Sequence, residues 1–393
     1  MIDSINVKNW MSQEEACEAL GVRRQTLYAY ASRGQIEVRG DPEHANRNLY
    51  RGSDIAGLLK KRSLGRARNK IAASTMAWGE PIINTSISTI ARGRLFYRGK
   101  DAVRLAATAT LEEAAGLLWA SADVPRFPTV EPLRLAGTVG ARVYAAMGMA
   151  AAERAIGETP GFDALCDEGA RLIGRLASNL VQLRTDDGPL HARIADAWGV
   201  AHHADLLRRV LVMLADQELS SSAFAARVTA STGASLGASL VAGLAAFSGP
   251  MHGNAIVPVR ELLDEARRVG TEAAVRARRS AGRSLPGFGH ELYPQGDPRA
   301  AALLSAFEPP DEVRALVECV ERIDGSKPTI DVALAALAGH CGLAEDAAFA
   351  LFCIARSVGW IAHSIEQMTN GSLLRPRAHY VGPPVADTDE ATR

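Results

Sequence analysis

Cysteine is scarce in this 393-residue chain: five residues, at positions 17, 166, 319, 341 and 353. The number is odd and none lies in CxxC or CxxH spacing, which argues against a disulfide framework or a zinc site and leaves reduced core thiols. Long apolar runs are also missing. The best candidate, Ala347–Ala355, stops at Arg356, well short of the roughly 18 residues a membrane helix needs. The polar opening Met1–Lys8 does not read as a secretory signal. A protein without membrane contact, soluble and cytoplasmic, is the expectation. Neither GxGxxG nor GxxxxGK[ST] occurs and βαβ alternation is almost absent, so a nucleotide-binding α/β fold is disfavoured. No fixed-period repeat stands out.

Net charge is absent as well, because 44 Lys and Arg meet 44 Asp and Glu. The balance conceals an asymmetry. Met1–Lys70 holds 13 basic and 8 acidic residues, a net of +5, leaving 31 against 36 for the remainder, a net of −5. A basic module joined to a mildly acidic body is the implied organisation. With 47% hydrophobic and 22% charged residues, the chain can bury large cores, which excludes a disordered or fibrous protein.

Short helices with close turn signals fill the first 62 residues, a basic stretch poor in apolar residues follows, and a long Ala- and Leu-rich periodic sequence makes up the rest. The expected division is a module over 1–62, a linker over 63–77 and a body over 78–393. Alternating Ile, Ser and Thr within Trp78–Arg98 suggest a small strand pair. Beyond it, Thr110 caps a helix whose Leu111, Ala114, Ala115 and Leu118 share one face. Helical periodicity also marks Asp163–Arg184, His203–Ala215, Phe224–Phe247, Pro258–Val269, Asp297–Phe307, Asp311–Ile323 and Glu345–Met368. The body is therefore expected to be all-α.

In the module, Ser12 and Glu15 form a capping box for a helix with Ala16, Ala19 and Leu20 on its inner face. Gly21 supplies the turn, Val22 the corner plug, and a second helix runs through Gln25, Leu27 and Tyr28 to Gly34. Ile36–Arg39 and Asn48–Arg51 pair as a wing, and Asp54–Arg62 closes the unit. This stretch resembles the winged helix-turn-helix headpiece of MerR-type regulators and excisionases. The resemblance implies Arg23, Arg24, Gln25 and Tyr28 near bases or phosphates of DNA, with Arg33, Arg47 and Arg51 on phosphates. A module that serves only dimer contacts, its arginines solvated, is the alternative.

Three segments of the C-terminal half set ionisable groups in Gly-rich or helix-initial positions: GPMHGNA around His252, LPGFGHELYPQGDPRA around His290 and Arg299, and PTIDVALAAL around Asp331. Singly each is weak, since a histidine in a Gly-Pro turn is commonly just hydrogen-bonded and Asp331 could be no more than a helix cap. Arg356 inside ALFCIARSVGWIA demands an anionic partner, because an unpaired buried cation is costly. LLRPRAHY adds Arg375 and Arg377.

Taken together, GPMHGNA, GFGHELYPQGDPR, IDVALAAL, ARSVGWIAHSIEQ and RPRAHYVG resemble, in order and spacing, the citrate synthase family with its 2-methylcitrate synthases. The resemblance starts near Gly93 and implies an all-α, two-domain helical fold, with a large domain over about 78–253 and 344–393 and a small one over about 254–343. It implies His252, His290 and Asp331 as catalytic groups, and Arg299, Arg356, Arg375 and Gln217 at the acceptor. Coenzyme A would lie on the backbone of Leu285, Pro286, Gly287, Phe288 and Gly289. Asp331 would take a proton from the carbon next to the thioester, the methyl of acetyl-CoA or the methylene of propionyl-CoA, and the enol would attack oxaloacetate or a related 2-oxo acid. No cofactor and no metal are implied, acyl-CoA being a substrate. Arg375 would come from the second subunit of a homodimer with shared active sites. The chain departs from the family at LADQELSSS, where Gln217 replaces a substrate-binding His and Ser220 an Asn. Losing a charge-assisted hydrogen bond costs about 1.5–3 kcal/mol, which weakens oxaloacetate binding or retunes the site. A metabolite-sensing transcriptional regulator with a catalytically weak body is the competing expectation.

Overall fold

The computed structural model describes residues 9–42, 44, 47–58, 83–153, 160–378 and 380–383. The expected linker 63–77, the end of the closing helix and the first residues of the strand-pair region lie outside them. The chain divides into two compact units, Met1–Asn84 with Arg377–Arg393, and Thr85–Pro376.

The first unit packs helix α1 (Gln13–Leu20) and α2 (Arg24–Ser32) with an antiparallel sheet of β1 (Trp10–Met11), β2 (Val38–Gly40) and β3 (Asn48–Arg51), in the order β1-β3-β2. Residues 52–58 are helical. The Ser12–Glu15 capping box starts α1, and Gly21 ends it at φ +60°, a left-handed conformation that glycine adopts without a Cβ penalty. Ala16, Leu20, Leu27, Ile36, Tyr50 and Ile55 form the core. Ala19, expected inside, is exposed. In this two-turn helix Leu20, one turn on from Ala16, fills the space instead. The two-residue β1 strand was not expected, because nothing in the sequence near Trp10 signals pairing with residues forty positions away.

The second unit opens with an antiparallel sheet of β4 (Ser88–Ala91), β5 (Arg94–Tyr97) and β6 (Lys100–Asp101), one strand more than the expected pair. Helices follow: α3 (Ala102–Leu105), α4 (Leu111–Trp119), α5 (Val139–Ala152), α6 (Phe162–Val181), α7 (Leu190–Ala197), α8 (Ala204–Leu214), α9 (Ser221–Ser231), α10 (Leu236–Phe247), α11 (Ile256–Val269), α12 (Thr271–Ser280), α13 (Pro298–Leu304), α14 (Asp311–Asp324), α15 (Ile330–His340) and α16 (Ala347–Asn370). Thr110 caps α4 in a capping box with Glu113. The single helix expected over Phe224–Phe247 is two, because Gly233 turns at φ +82° and Ser235 caps a new start.

Helix α16 runs straight through Arg356 and packs against α4, α6, α8, α9 and α10. By length and composition it could span a bilayer, but 94% of its most apolar window is buried inside the unit, as in the core helix of a globular domain. A large apolar cluster surrounds it. A second, smaller cluster joins Val259, Leu262, Val275, Leu316, Val320 and Val332 from α11, α12, α14 and α15. Helix α15 serves both, turning Val332 and Ala336 to the small cluster and Ile330, Ala333 and Leu337 to the large one.

The fit of α16 against the loop after α8 is tight at Gly359. An added Cβ there would collide with the Asp216 carboxylate and stand 2.7 Å from the Ala215 carbonyl. Gly359→Ala is therefore expected to destabilise the protein by about 1–3 kcal/mol, read as a lower thermal unfolding midpoint; an unchanged midpoint would contradict this packing.

Candidate active site

Asp331 sits in the first turn of α15, where Thr329 is the N-cap. The Thr329 hydroxyl donates to Asp331 Oδ2 at 3.0 Å. Burial raises the Asp331 carboxyl above its ordinary range, against the opposing pull of Thr329 and Arg299. A carboxylate so placed is a stronger base than one in water.

Asp297 was not singled out in the sequence, although an Asp followed by Pro298 is a recognisable helix start. It caps α13, and its Oδ1 and Oδ2 accept from Nε and Nη2 of Arg299 at 2.9 and 2.8 Å. Its Oδ2 also accepts from the backbone N–H of Ile330 at 3.1 Å, which ties the start of α15 to α13. Asp297 is held below the usual carboxylate range by Arg299 despite burial, and Arg299 is held above its own by Asp297. The remaining Arg299 nitrogen, Nη1, donates to Gln217 Oε1. Gln217 Nε2 in turn stands 3.4 Å from His290 Nε2, and the Leu292 N–H donates to His290 Nδ1 at 3.1 Å.

The loop carrying Gln217 is fixed from below. Ser88 Oγ donates to Asp216 Oδ2, the backbone of Ile90 donates to Glu218, and Glu218 N donates to Ser88 Oγ at 2.9 Å. Tyr97 accepts from the Asp216 N–H at 3.2 Å. His363 of α16 lies 3.3 Å from Asp216, both fully buried. The small sheet thus holds the Gln217 loop in position.

Arg356 is buried to 1% exposure and donates from Nε to the Leu214 carbonyl at 3.0 Å, while among the described residues its Nη2 has no hydrogen-bond partner. Burial, with the like charge of Arg299, brings its pKa down to about 10. A buried guanidinium nitrogen without an acceptor is an unmet demand for an anion. The Tyr293 hydroxyl is likewise buried and, among the described residues, without a hydrogen-bond partner, with Arg299 5.2 Å from its ring centre.

His252 follows the turn after α10. Its Nε2 is 2.8 Å from Ser222 Oγ, which accepts from Trp360 Nε1 at 2.9 Å. Neither Ser222 nor Trp360 carried a sequence signal, since both read as ordinary helix residues.

Leu285–Gly289 is stitched to the segment before Asp331: Thr329 N donates to the Gly287 carbonyl at 2.8 Å and Gly289 N to that of Lys327 at 2.9 Å. Gly287 sits at φ +79°, and a Cβ there would come within 2.6 Å of Val332. Pro286 and Phe288 complete this turn, and a cavity of about 170 Å³ opens beside it, lined by Gly289, His290, Tyr293, Asp297 and Lys327.

The fold therefore links Gln217, His290, Arg299 and, through Asp297, the start of α15 with Asp331. Arg356 lies close enough to lower the pKa of His252. Arg375 is exposed after α16 and makes no polar contact with these groups. Among the described residues no group of three His, Cys, Asp or Glu is arranged to hold a metal ion. All five cysteines are unpaired; four are buried, whereas Cys17 is half-buried rather than a core residue.

In the first unit, Arg24 pairs with Glu14 at 3.3 Å and the Tyr28 hydroxyl donates to Gln13 at 2.9 Å. Arg51 pairs with Glu37. Arg23, Gln25 and Arg47 are exposed and, among the described residues, their side chains make no such contact.

These features define a predominantly helical fold with a buried polar site. The sequence model described as "Citrate synthase, C-terminal domain" matches residues 149–377, and the chain belongs to the citrate synthase family. A second model, "Helix-turn-helix domain", matches residues 10–63. Citrate synthase 2 of Bacillus subtilis is 31% identical over 193 residues, covering 46% of this chain and 51% of that protein. The putative citrate synthase 2 of Mycobacterium bovis is 34% identical over 194 residues, covering 46% and 52%. The chain thus spans about half the length of these curated relatives. The crystal structure of citrate synthase from Thermotoga maritima superposes with a TM-score of 0.64 at 27% identity, covering 80% of this chain and 98% of that one.

Burial and the Arg356 charge bring the pKa of His252 down to about 4 from 6.5. On acidification the unfolded chain takes up that proton first. Stability tied to the neutral ring is therefore intact above pH 6.5 and is lost as pH falls from 6.5 towards 4. Unfolding midpoints measured across this range should fall less steeply for His252→Gln than for the parent chain; identical slopes would show that His252 is not the group involved.

Proposed function

We propose that the body catalyses a Claisen condensation of acetyl-CoA or propionyl-CoA with oxaloacetate or a related 2-oxo acid, followed by thioester hydrolysis. The observation that carries this is the buried Arg356 nitrogen without a partner, beside the linked Gln217, His290 and Arg299 and the raised Asp331 carboxyl. A dry guanidinium suits the carboxylate of a 2-oxo acid.

Asp331 acts as the base, taking a proton from the methyl or methylene carbon next to the thioester. Ser222, already accepting from Trp360, donates a hydrogen bond from its hydroxyl to His252 Nε2, which leaves the single ring proton on Nδ1 to donate to the thioester oxygen as it becomes an enol. The buried ring stays neutral and donates through Nδ1–H, placed where charge develops on the oxygen. The enol carbon attacks the 2-oxo carbon, the new carbon–carbon bond places charge on the former carbonyl oxygen, and His290 donates to that oxygen. Water then cleaves the carbon–sulfur bond, releasing CoA as the thiol and a hydroxy acid. The backbone of Leu285, Pro286, Gly287, Phe288 and Gly289 holds CoA, so its binding and the placement of Asp331 are coupled. The small apolar cluster, within about 254–343, belongs to a small domain that closes over the large domain, 78–253 and 344–393, and excludes water. Exposed Arg375 serves the site of a second copy in a homodimer. The unpaired cysteines support a reducing, cytoplasmic setting.

Thiol release from acetyl-CoA or propionyl-CoA, with oxaloacetate and a panel of other 2-oxo acids, tests the reaction. Asp331→Ala is expected to lower kcat by at least about 100-fold, in keeping with loss of a general base. No turnover above this variant with any acceptor would refute the enzyme.

A second reading concerns the first unit, a MerR-like winged module over residues 1–62 that binds DNA and makes the protein a metabolite-sensing regulator. Its support is the exposed, uncommitted set of Arg23, Gln25 and Arg47, while Arg24 and Tyr28 already have partners within the module. Gel shifts on the DNA upstream of its own gene should show binding that weakens with salt, and Arg47→Ala should reduce the salt slope by about 1. Absence of binding at low and at moderate salt would remove the regulator.

A further inference from the structure

Gln217 stands where the family resemblance implies a substrate-binding histidine, and its surroundings fix which end of the amide faces the site. Arginine carries only donors. Two of the Arg299 nitrogens are committed to Asp297, and the third donates to Gln217 Oε1. The oxygen of the amide is thereby assigned, and the NH2 points the other way, to His290 Nε2 at 3.4 Å. His290 is fixed with equal definition. Its Nδ1 accepts from the Leu292 N–H at 3.1 Å, so that nitrogen holds no proton. Burial and the Arg299 charge keep the ring neutral. The one ring proton is on Nε2.

Two donors therefore face each other, and neither can satisfy the other. Both need one acceptor able to take two hydrogen bonds. A carboxylate is better served at Arg356, which is charged, buried and has a nitrogen without a partner. Near Gln217 the Arg299 charge is already matched by Asp297. A pair of neutral donors binds a neutral carbonyl weakly and an oxygen acquiring charge strongly, which is what accelerates a reaction.

We propose that Gln217 Nε2 and His290 Nε2 together form a two-donor cradle for the 2-oxo oxygen of the acceptor, with Gln217 held in its working orientation by Arg299. This deepens the proposed condensation and rests on it. The residue that replaces a histidine thus acts on the carbonyl being attacked. The acceptors favoured are 2-oxo acids whose carboxylate reaches Arg356.

Gln217→Glu keeps the acceptor for Arg299 and replaces the donor with a second oxygen; Gln217→Leu removes both. Each is expected to lower kcat for thiol release by about 100-fold with the acceptor KM changed less than about threefold, since an oxyanion donor acts mainly in the transition state. Thermal unfolding of both variants checks that the fold survives, and Gln217→Glu is the decisive one if Gln217→Leu does not fold. Retention of kcat within threefold in Gln217→Glu, or a change confined to KM, would overturn the cradle while leaving the condensation standing. If the parent chain releases no thiol with any acceptor, calorimetry of a 2-oxo acid against the same acid with a methylene in place of the carbonyl decides the matter. The cradle requires a preference of at most about threefold for the 2-oxo acid by the parent chain, in keeping with donors that act mainly in the transition state, and loss of that preference in Gln217→Glu; equal binding of the two acids by the parent chain would overturn it.

Discussion

The buried ion pair between Asp297 and Arg299 is the constraint on which the rest of the site depends. The two residues are separated by one proline, at the start of a seven-residue helix, and both are out of reach of water. Desolvating two charges costs several kcal/mol per ion and is offset only by full hydrogen bonding. Here the aspartate accepts from the arginine at both oxygens, caps its own helix and receives the first amide of α15. The arginine uses its remaining reach on Gln217. One pair thereby sets the start of α15 beside the start of α13, and fixes the amide of a loop more than eighty residues earlier.

That arrangement also explains why the positive charge of the site is less than the sequence suggested. Arg299, Arg356 and Arg375 read as three cations awaiting a di-acid. Within the chain Arg299 is neutralised at short range, Arg375 stands outside, and Arg356 alone keeps a buried donor unmet. Charge counted along a sequence says nothing about which carboxylates share the same pocket. Asp297 was two positions from Arg299 in plain view, yet an aspartate before proline is so commonly a helix cap that its second role carried no separate mark.

Much of the fold was nevertheless legible, wherever local chemistry decides the outcome. The capping boxes at Ser12 and Thr110, the turn at Gly21 and the wing strands follow from side chains and backbone within a few residues of one another. What escaped either carried too weak a local mark or depends on distant partners. The break between α9 and α10 lies in an Ala-rich stretch whose periodicity continues across it. The helices over Val139–Ala152, Leu190–Ala197 and Thr271–Ser280 have too few large apolar residues to mark a face. Ser222 and Trp360 became site residues only once α9 and α16 were side by side.

Helix α16 shows what such dependence means for change over time. Arg356, Trp360 and His363, spaced four and three apart, lie along one face and serve three separate tasks: an unmet guanidinium, the serine that bonds His252, and the aspartate beneath Gln217. Gly359, between them, admits no side chain. A rotation of the helix by one residue would misdirect all three groups together. Substitutions on this face are consequently coupled, and their effects should not add. A lineage that retunes its acceptor has more freedom in the loop opposite, where a single residue such as Gln217 can be exchanged without moving the helix.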